Sequence, residues 1–425
     1  MNESTTPTGY FQLVQNNRNF RWLWAGQIVS LLGDWFNLIA SAALITKLTD
    51  SGLAIGSLFV VRMLAPFLVS PFAGIMADRY NRKHILIAAD LVRGVSVLGF
   101  LLVREPGDVW LLYALTAVQL GLSGFYFPAR NAILPDIVKP EEIGAANALS
   151  SATWSTMLAI GAALGGLVAG LWGNEPAFIM DAITFFVSAI LINQVAYQQD
   201  PDTVKSDKSL ASAIQQYIDG LSYLKKRIDQ FFIASLKGIN AILISTGFQI
   251  IQISISEQVF VIGEGGGIGL GLIFGVAGIG TGVGPLLARY IAKDDDWWMR
   301  WTIPVAWSIS AVGIWLVSTL ASFPIVLLGT FLRGFGGGIV WVFATQLLLQ
   351  LVPGNIRGRI FATEYMIFTL LSAFGAAGVG WSLDGILTMS QVMQIMGGLI
   401  LIPAILWALW TLYQGRQVPE TSMAD

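Results

Sequence analysis

Long apolar runs separated by short polar connections make up most of the chain. A helix needs about 20 apolar residues to cross the hydrocarbon layer of a bilayer, so each run predicts a membrane-spanning helix. The predicted spans lie near residues 20–46, 53–76, 84–103, 109–130, 144–170, 177–195, 232–260, 267–291, 301–320, 323–346, 360–381 and 390–413. We therefore expect an all-α membrane protein with twelve transmembrane helices, six on each side of a longer polar interval.

The polar interval divides the predicted fold into domains. Residues 1–195 form a first six-helix bundle, 196–231 a cytoplasmic linker, and 232–425 a second six-helix bundle with a short tail. Apolar residues at spacings of three and four predict an amphipathic helix in the linker: Leu210, Ile214, Ile218, Leu221, Leu224 and Ile228. Such a helix lies either in the cytoplasmic membrane interface or against the underside of the bundle, and the sequence leaves both positions open.

Composition supports a membrane protein and excludes several kinds of chemistry. The chain is 55% hydrophobic and 12% charged, with a mean hydropathy of +0.68, whereas soluble domains carry roughly 25% charged residues. Cys is absent and His84 is the single histidine, which excludes disulfides, Cys or multi-His metal sites and a histidine proton relay. Without a G-x-x-x-x-G-K-S/T motif, ATP hydrolysis is not supported. We expect neither an enzyme nor a bound cofactor or metal.

The positions of the basic residues predict how the spans are oriented. With both termini in the cytoplasm, most of the 24 Lys and Arg residues fall on the cytoplasmic side, as the positive-inside rule requires. Lys47 and Arg104 lie outside, and Arg62, Arg93 and Arg333 lie within spans. The sequence therefore predicts a multi-pass protein of a bacterial cytoplasmic (inner) membrane with both termini inside.

The short connection after the second span carries the most specific motif. It contains a Gly that permits a tight turn, one acid and three bases, in the order Gly74-x-x-x-Asp78-Arg79-x-x-Arg82-Lys83. A second copy after the eighth span has lost the acid and reads Gly284-x-x-x-Ala288-Arg289-Tyr290. The repeat indicates that the two halves are parallel duplicates.

The loop motif resembles the signature of the major facilitator superfamily. Three further stretches resemble the branch that contains the enterobactin exporter and macrolide efflux pumps: residues 78–93, residues 127–149, and residues 220–224 with the later Pro353-x-x-x-Arg357-Gly358-Arg359. The antiporter motif that drug exporters carry in the fifth helix is incomplete here, because Ala162 stands in place of its Pro. That departure weakens an inference of proton antiport from this motif.

The resemblance implies a fold and a function. The fold is two pseudo-symmetric six-helix bundles. The function is export of an amphipathic small molecule, such as a siderophore or a macrolide-like drug, by alternating access with protons as the coupling ion. Two alternatives stay open: a lysophospholipid or lipid transporter of the same fold, and a non-transporting membrane assembly factor. The expected partners are the cargo, protons and membrane lipids, with no nucleic acid, and we expect a monomer.

Acidic residues inside spans are candidates for proton coupling, because a charge within the bilayer is costly and usually faces protein or water. Asp34, in the middle of the first span, is the leading candidate, and Glu257 and Asp181 are the others. The alternatives are a structural hydrogen bond for Asp34 and a structural role for Asp181. Glu257 is either an extracellular gate or a solvated interfacial acid.

Other polar residues within spans have separate expected roles. Asp90 and Arg93 share one helix face, and with Arg62 they predict a structural charge network that supports the loop motif. Arg333 either attracts an anionic group of the cargo or pairs with an acid such as Asp34. The full set of cavity candidates combines amide, basic and aromatic residues: Asn37, Gln119, Asn240, Arg333, Trp341 and Gln346. For the aromatic residue, lipid contact or packing is the alternative.

The resemblance also implies a cytoplasmic gate. In this superfamily the loop motifs latch the two halves together when the transporter is open to the outside. The residues expected to form the gate are Gly74, Asp78, Arg79, Arg82, Lys83 and Glu364.

Overall fold

The computed structural model describes residues 10–49, 51–139, 142–198, 210–292, 295–385 and 387–415, although for some residues within its helices only the backbone is described. Regular structure in these ranges is helical throughout. The helices are α1 (Tyr10–Asn16), α2 (Arg18–Thr49), α3 (Gly52–Arg79), α4 (Arg82–Leu98), α5 (Val109–Ile137), α6 (Ile143–Trp172), α7 (Asn174–Asn193), α8 (Leu210–Lys225), α9 (Ile228–Asn240), α10 (Thr246–Ser254), α11 (Gly267–Ala292), α12 (Asp296–Ser318), α13 (Phe323–Leu351), α14 (Gly354–Asp384), α15 (Met389–Leu399) and α16 (Leu401–Gly415).

The prediction of an all-α membrane protein is confirmed. Within the described ranges, eleven helical stretches are long and apolar enough to cross a membrane, and α6 adds the shorter apolar segment Ile160–Trp172. The seventh span consists of α9 and α10 joined through the π-helical turn Ala241–Ser245, and a second π-helical turn, Ile255–Val259, extends it. Sequence patterning had not indicated these turns, because one additional residue per turn hardly changes the apolar periodicity.

Two compact units make up the chain. The first contains Met1–Ile218 and Ile253–Gly275, and the second contains Asp219–Gln252 and Val276–Asp425. These units are not the domains expected from the sequence. The predicted division into two duplicated halves, 1–195 and 232–425, with a linker at 196–231, stays a prediction.

In the first unit, α2 packs on α6 and α7, α3 packs on α5, and α4 packs on α5 and α7. The crossing of α2 and α7 depends on Gly33, where a Cβ would collide with the side chains of Asp181 and Thr184. Small residues at such crossings let membrane helices approach closely. Gly33 therefore brings Asp34 and Asp181 into one region of the unit.

In the second unit, α12 packs extensively on α13, and α9 packs on α13 and α14. Trp307 of α12 is fully buried in this core. A Cβ at Gly313 would meet the Gly329 carbonyl, and a Cβ at Gly329 would meet the Gly313 carbonyl, which explains how α12 and α13 can lie so close together.

The outer surface is strongly apolar, as a membrane protein requires. Large side chains such as Leu286, Phe374 and Trp381 are exposed by 72%, 66% and 71%. Contiguous exposed apolar surface of this kind is unusual for soluble monomers and indicates contact with a nonpolar environment.

Helix α8 lies within the interval predicted as the linker. Ile218 and Leu221 are exposed, whereas Leu224 is fully buried. The backbone at Gly220 lies against Thr363 and Arg359 of α14, and Asp219 forms an ion pair with Arg359 at 3.3 Å. The helix therefore combines a contact to a bundle helix with an exposed apolar edge.

Candidate functional site

The first unit buries a group of charged side chains contributed by four helices. Arg93 of α4 binds both carboxylate oxygens of Asp34 on α2, at 2.8 and 3.1 Å. Its other terminal nitrogen donates to Asp90 at 3.2 Å, and Ser188 of α7 donates to Asp90 at 2.6 Å. We call the five charged residues Asp34, Arg62, Asp90, Arg93 and Asp181 the buried charge cluster.

Aromatic rings hold the central guanidinium of this cluster. The Arg93 side chain is 2% exposed, and its guanidinium carbon lies 3.9 Å from the Phe185 ring centroid and 5.7 Å from that of Tyr126. Cation–π contacts of this kind partly offset the loss of hydration. Arg93 is thus fixed between two carboxylates by packing as well as by charge.

Asp181 is the least satisfied member of the cluster. It is completely buried on α7, within electrostatic range of Asp34, Arg93 and Arg62 and beside Asn37. Among the described residues, no hydrogen bond of good geometry reaches either of its carboxylate oxygens. Arg62 on α3 is the fifth member of the cluster, because its guanidinium lies within electrostatic range of Asp34 and Asp181.

The sequence had separated these residues into two roles, and the structure brings them together. Asp34 was expected to couple protons, and Arg62, Asp90 and Arg93 were expected to form a separate network. In the structure Asp34 is directly bonded to Arg93 and is therefore part of that network. With a 22% exposed side chain, Asp34 is also the member of the Asp34–Arg93–Asp90 chain that reaches the surface of the unit.

Two further polar residues of the first unit lie inside α5. Gln119 is 1% exposed. Arg130, expected at the cytoplasmic end of the fourth span, is buried because α5 continues to Ile137. The Arg130 guanidinium donates to Gln27 at 2.7 Å and also to Ser150.

Several predicted gate residues fall outside the described side chains. This applies to Gly74, Asp78 and Arg79, so the gate stays a prediction. Arg82 forms an ion pair with Asp136 at 2.7 Å, and Lys83 donates to the Asn193 carbonyl at 2.8 Å. Both bases thus tie the start of α4 to neighbouring helices of the first unit.

In the second unit, Arg333 lies under the π-helical turn. Its terminal nitrogen donates to the Ile244 carbonyl at 3.0 Å, and its guanidinium carbon lies 4.9 Å from the Phe248 ring centroid. A π-helical turn frees backbone carbonyls from the regular ladder, and here one of them accepts from Arg333. In the described part of the chain, the structure records no ion pair for Arg333, and its Nε has no hydrogen-bond partner.

A buried ion pair that the sequence did not predict lies in the same unit. Lys237 of α9 and Glu364 of α14 are 3.0 Å apart, and their side chains are 9% and 4% exposed. The Lys237 ammonium is also 4.8 Å from the ring centroid of Trp341. The available signal was a lysine inside a predicted apolar span, because such a residue needs a partner.

The other predicted cavity residues have varied surroundings. Asn240 is buried and accepts from the indole of Trp307 at 3.4 Å. Trp341 is 39% exposed and contacts Phe368 edge to face, and Gln346 is half-buried.

The first unit also contains a cavity of about 770 Å³. Glu257 lines it, together with Lys47 and Arg104, the two bases that the sequence places outside. Glu175 and Glu264 are further charged lining residues. The cavity therefore presents both signs of charge.

Long apolar helices that bury charged clusters define a polytopic membrane transport protein, because buried ionisable groups in such helices usually serve an ion or substrate pathway. Residues 23–298 match the family model of the Major Facilitator Superfamily, and the chain belongs to this family. Its members are transporters, which is a non-enzymatic class.

Named relatives and solved structures agree with this assignment. The chain is 25% identical to the putative bacilysin exporter BacE of Bacillus amyloliquefaciens over 384 residues, 90% of this chain and 93% of the relative. It is 26% identical to macrolide efflux protein A of Streptococcus pyogenes over 189 residues, 44% of this chain and 47% of the relative. The crystal structure of a peptide transporter POT in complex with sulfate superimposes with a TM-score of 0.71 and 12% identity, covering 97% of each chain. That likeness concerns the fold.

Proposed function

We propose that this protein is a secondary active transporter that exports an amphipathic small molecule by alternating access and proton antiport. The names of the relatives BacE and macrolide efflux protein A support export. In this proposal the protein is a monomer in a bacterial inner membrane with both termini in the cytoplasm. Residues 1–195 and 232–425 are the moving halves, and the loop motif forms the inner gate with Glu364.

The charge balance of the buried charge cluster carries the proposal of proton coupling. It contains three carboxylates, Asp34, Asp90 and Asp181, and two guanidiniums, Arg62 and Arg93. With every group ionised, the cluster has one uncompensated negative charge, and one proton neutralises it. A charge that is not paired inside a membrane protein is costly, so binding a proton there can be tied to a conformational change.

The geometry favours Asp181 as the carboxylate that takes this proton, with Asp34, the leading candidate of the sequence, beside it in the cluster. Asp90 is held by both Arg93 and Ser188, whereas no donor reaches Asp181 with good geometry in the described residues. Asp34 is partly exposed, so that water can approach the cluster at this residue. A proton moving through about 100 mV releases about 2.3 kcal/mol, which sustains roughly fifty-fold accumulation if one proton moves per cargo molecule.

In the second unit, Arg333 and Trp341 are the proposed cargo contacts. Arg333 keeps an unpartnered Nε, as far as the described residues extend, and Trp341 offers a partly exposed ring. A cation and an aromatic surface fit an amphipathic cargo that carries an anionic or carbonyl group.

Proteoliposomes loaded with a pH-sensitive dye test the proposal. The probes are erythromycin and bacilysin, applied under an imposed pH gradient. We expect cargo-dependent proton flux in the wild type and its loss in Asp34→Asn and Asp181→Asn, with the exposed Glu105→Gln as the matched control. If the wild type moved neither probe, the lipid-transport and assembly-factor alternatives would take precedence. If both variants kept full proton-coupled flux, the assignment of the proton to this cluster would be wrong.

A further inference from the structure

The second unit contains another cavity, which lies where α9 begins. It measures about 380 Å³ and lies between the start of α9 and the end of α16. Its lining residues are Lys226, Arg227, Ile228, Asp229, Gln230, Trp410 and Gln414. None of these residues takes part in the transport chemistry proposed above.

The electrostatics of this cavity favour an anion. Asp229, the single acid of its lining, is bonded to Arg300, which contacts both carboxylate oxygens at 2.7 Å, and it also accepts from Trp410 at 2.8 Å. Arg300 also pairs with the partly exposed Asp296 at 2.7 Å, so its charge is divided between two acids. Lys226 and Arg227 are exposed, and the structure records no ion pair for either one within the described ranges. The guanidinium of Arg227 is positioned 4.8 Å from the Tyr223 ring centroid. Three bases, Lys226, Arg227 and Arg300, therefore face two acids, Asp229 and Asp296, and the surroundings of the cavity keep a net positive charge.

An apolar wall adjoins the basic residues. Phe232 contacts Trp410 edge to face, and Trp410 contacts Tyr413. Phe232, Tyr413 and Ile228 are 39%, 54% and 57% exposed. Aromatic residues beside bases at the end of an apolar span are typical of the membrane interface, where headgroups meet acyl chains. A free phosphate would use only the basic part of this surface, whereas a phospholipid would use both parts.

We propose that this cavity binds the headgroup of an anionic phospholipid. Lys226 and Arg227 contact the phosphate, Trp410 and Gln414 border the headgroup, and the acyl chains lie along Phe232, Ile228 and Tyr413. With the proposed orientation, the lipid belongs to the cytoplasmic leaflet. It fastens the junction of α8 and α9 to the membrane surface.

Lipid titration followed by native mass spectrometry tests this site without reference to transport. The full-length protein, delipidated in detergent, is titrated with dioleoylphosphatidylglycerol or dioleoylphosphatidylcholine. We expect preference for the anionic lipid in the wild type. In Lys226→Gln/Arg227→Gln the Kd should rise about 25-fold, because each base near an anionic lipid contributes a factor of about five. Arg18→Gln/Arg21→Gln, which removes two exposed bases of the first unit, is the matched control and should stay within about twofold of the wild type.

The proposal is overturned if the wild type and the cavity variant bind the anionic lipid with equal affinity. It is also overturned if the control variant loses as much affinity as the cavity variant. Glycerol phosphate and inorganic phosphate form a second arm. If either one displaces the lipid at equal concentration, the site is one for small anions and the phospholipid assignment is wrong.

Hydrogen exchange on the wild type keeps the test valid if the variants misfold. Amides of residues 223–232 should gain protection with the anionic lipid and not with phosphatidylcholine, and an absence of protection also overturns the proposal.

Discussion

The two compact units bury charges of opposite balance. In the first, the buried charge cluster has one carboxylate more than it has guanidiniums. In the second, Lys237 is paired with Glu364, and Arg333 is buried against a backbone carbonyl with no ion pair in the described residues. The two units thus differ in the sign of their buried charge. In the proposed function, the acidic excess would bind the coupling proton, and the basic excess would contact an anionic or carbonyl group of the cargo.

The two sets of charges also differ in how they are connected. Arg93 links Asp34 and Asp90 through direct hydrogen bonds, so these three side chains form one continuous network. Arg333 instead binds a backbone carbonyl, and Lys237 has its own carboxylate partner. A continuous network transmits the loss of one member to the others, whereas isolated contacts respond separately. The following substitutions test this difference.

The largest effect is expected for Arg93→Met. The change leaves the fully buried Asp90 and the partly exposed Asp34 without the guanidinium that joins them, and breaking a buried pair in this way costs about 3–5 kcal/mol. We expect a large fall in the melting temperature of the detergent-solubilised protein and a low yield. The exposed Arg104→Met is the control and should change stability little. A melting temperature near that of the wild type would mean that Arg93 does not hold the cluster together.

A somewhat smaller effect is expected for Lys237→Met. Glu364 would then be buried without its partner, at a cost of roughly 3 kcal/mol. The double variant Lys237→Met/Glu364→Gln should recover much of this loss, because no charge stays unpaired. A double-mutant cycle on unfolding free energies measures the recovery. If the two losses simply added, the ion pair would not be an isolated unit.

Arg333→Gln is expected to have a modest effect on stability and a larger one on transport. Loss of the bond to the Ile244 carbonyl should cost about 1–2 kcal/mol. If Arg333 also contacts an anionic or carbonyl group of the cargo, the KM for transport should rise about tenfold with little change in kcat, since loss of one charged contact of about 1.4 kcal/mol has that effect. Arg333→Lys should keep part of the affinity. An unchanged KM in Arg333→Gln would remove this residue from the cargo site.

The smallest effect is expected for Arg359→Ala. Its ion pair with Asp219 is partly exposed, with side-chain exposures of 45% and 37%. Exposed pairs of this kind contribute about 0–1 kcal/mol. The melting temperature should therefore shift by only a few degrees, and the shift should diminish in high salt. A loss comparable to that of Lys237→Met would show that burial does not explain the difference between these pairs.

The amino-acid sequence alone determined the class of the protein and the number of its spans. Twelve apolar runs of membrane-spanning length had to become helices, because a bilayer offers backbone groups no other partners. The loop motif at Gly74–Lys83 gave the superfamily resemblance, and the family model matches the chain. The single Asp, Glu, Lys and Arg residues within spans were visible as exceptions in an apolar background, and they marked Asp34, Asp90, Arg93 and Arg333 as candidates.

The partners of these residues were decided by the tertiary structure. Asp34 and Arg93 are 59 positions apart, and they meet because Gly33 and neighbouring small residues let α2, α4 and α7 pack closely. The π-helical turn that offers a carbonyl to Arg333, and the pairing of Lys237 with Glu364 across 127 positions, also left no trace in periodicity. Apolar periodicity records which face of a helix is buried. It does not record which helix lies opposite, and the pairing of charges depends on that neighbour.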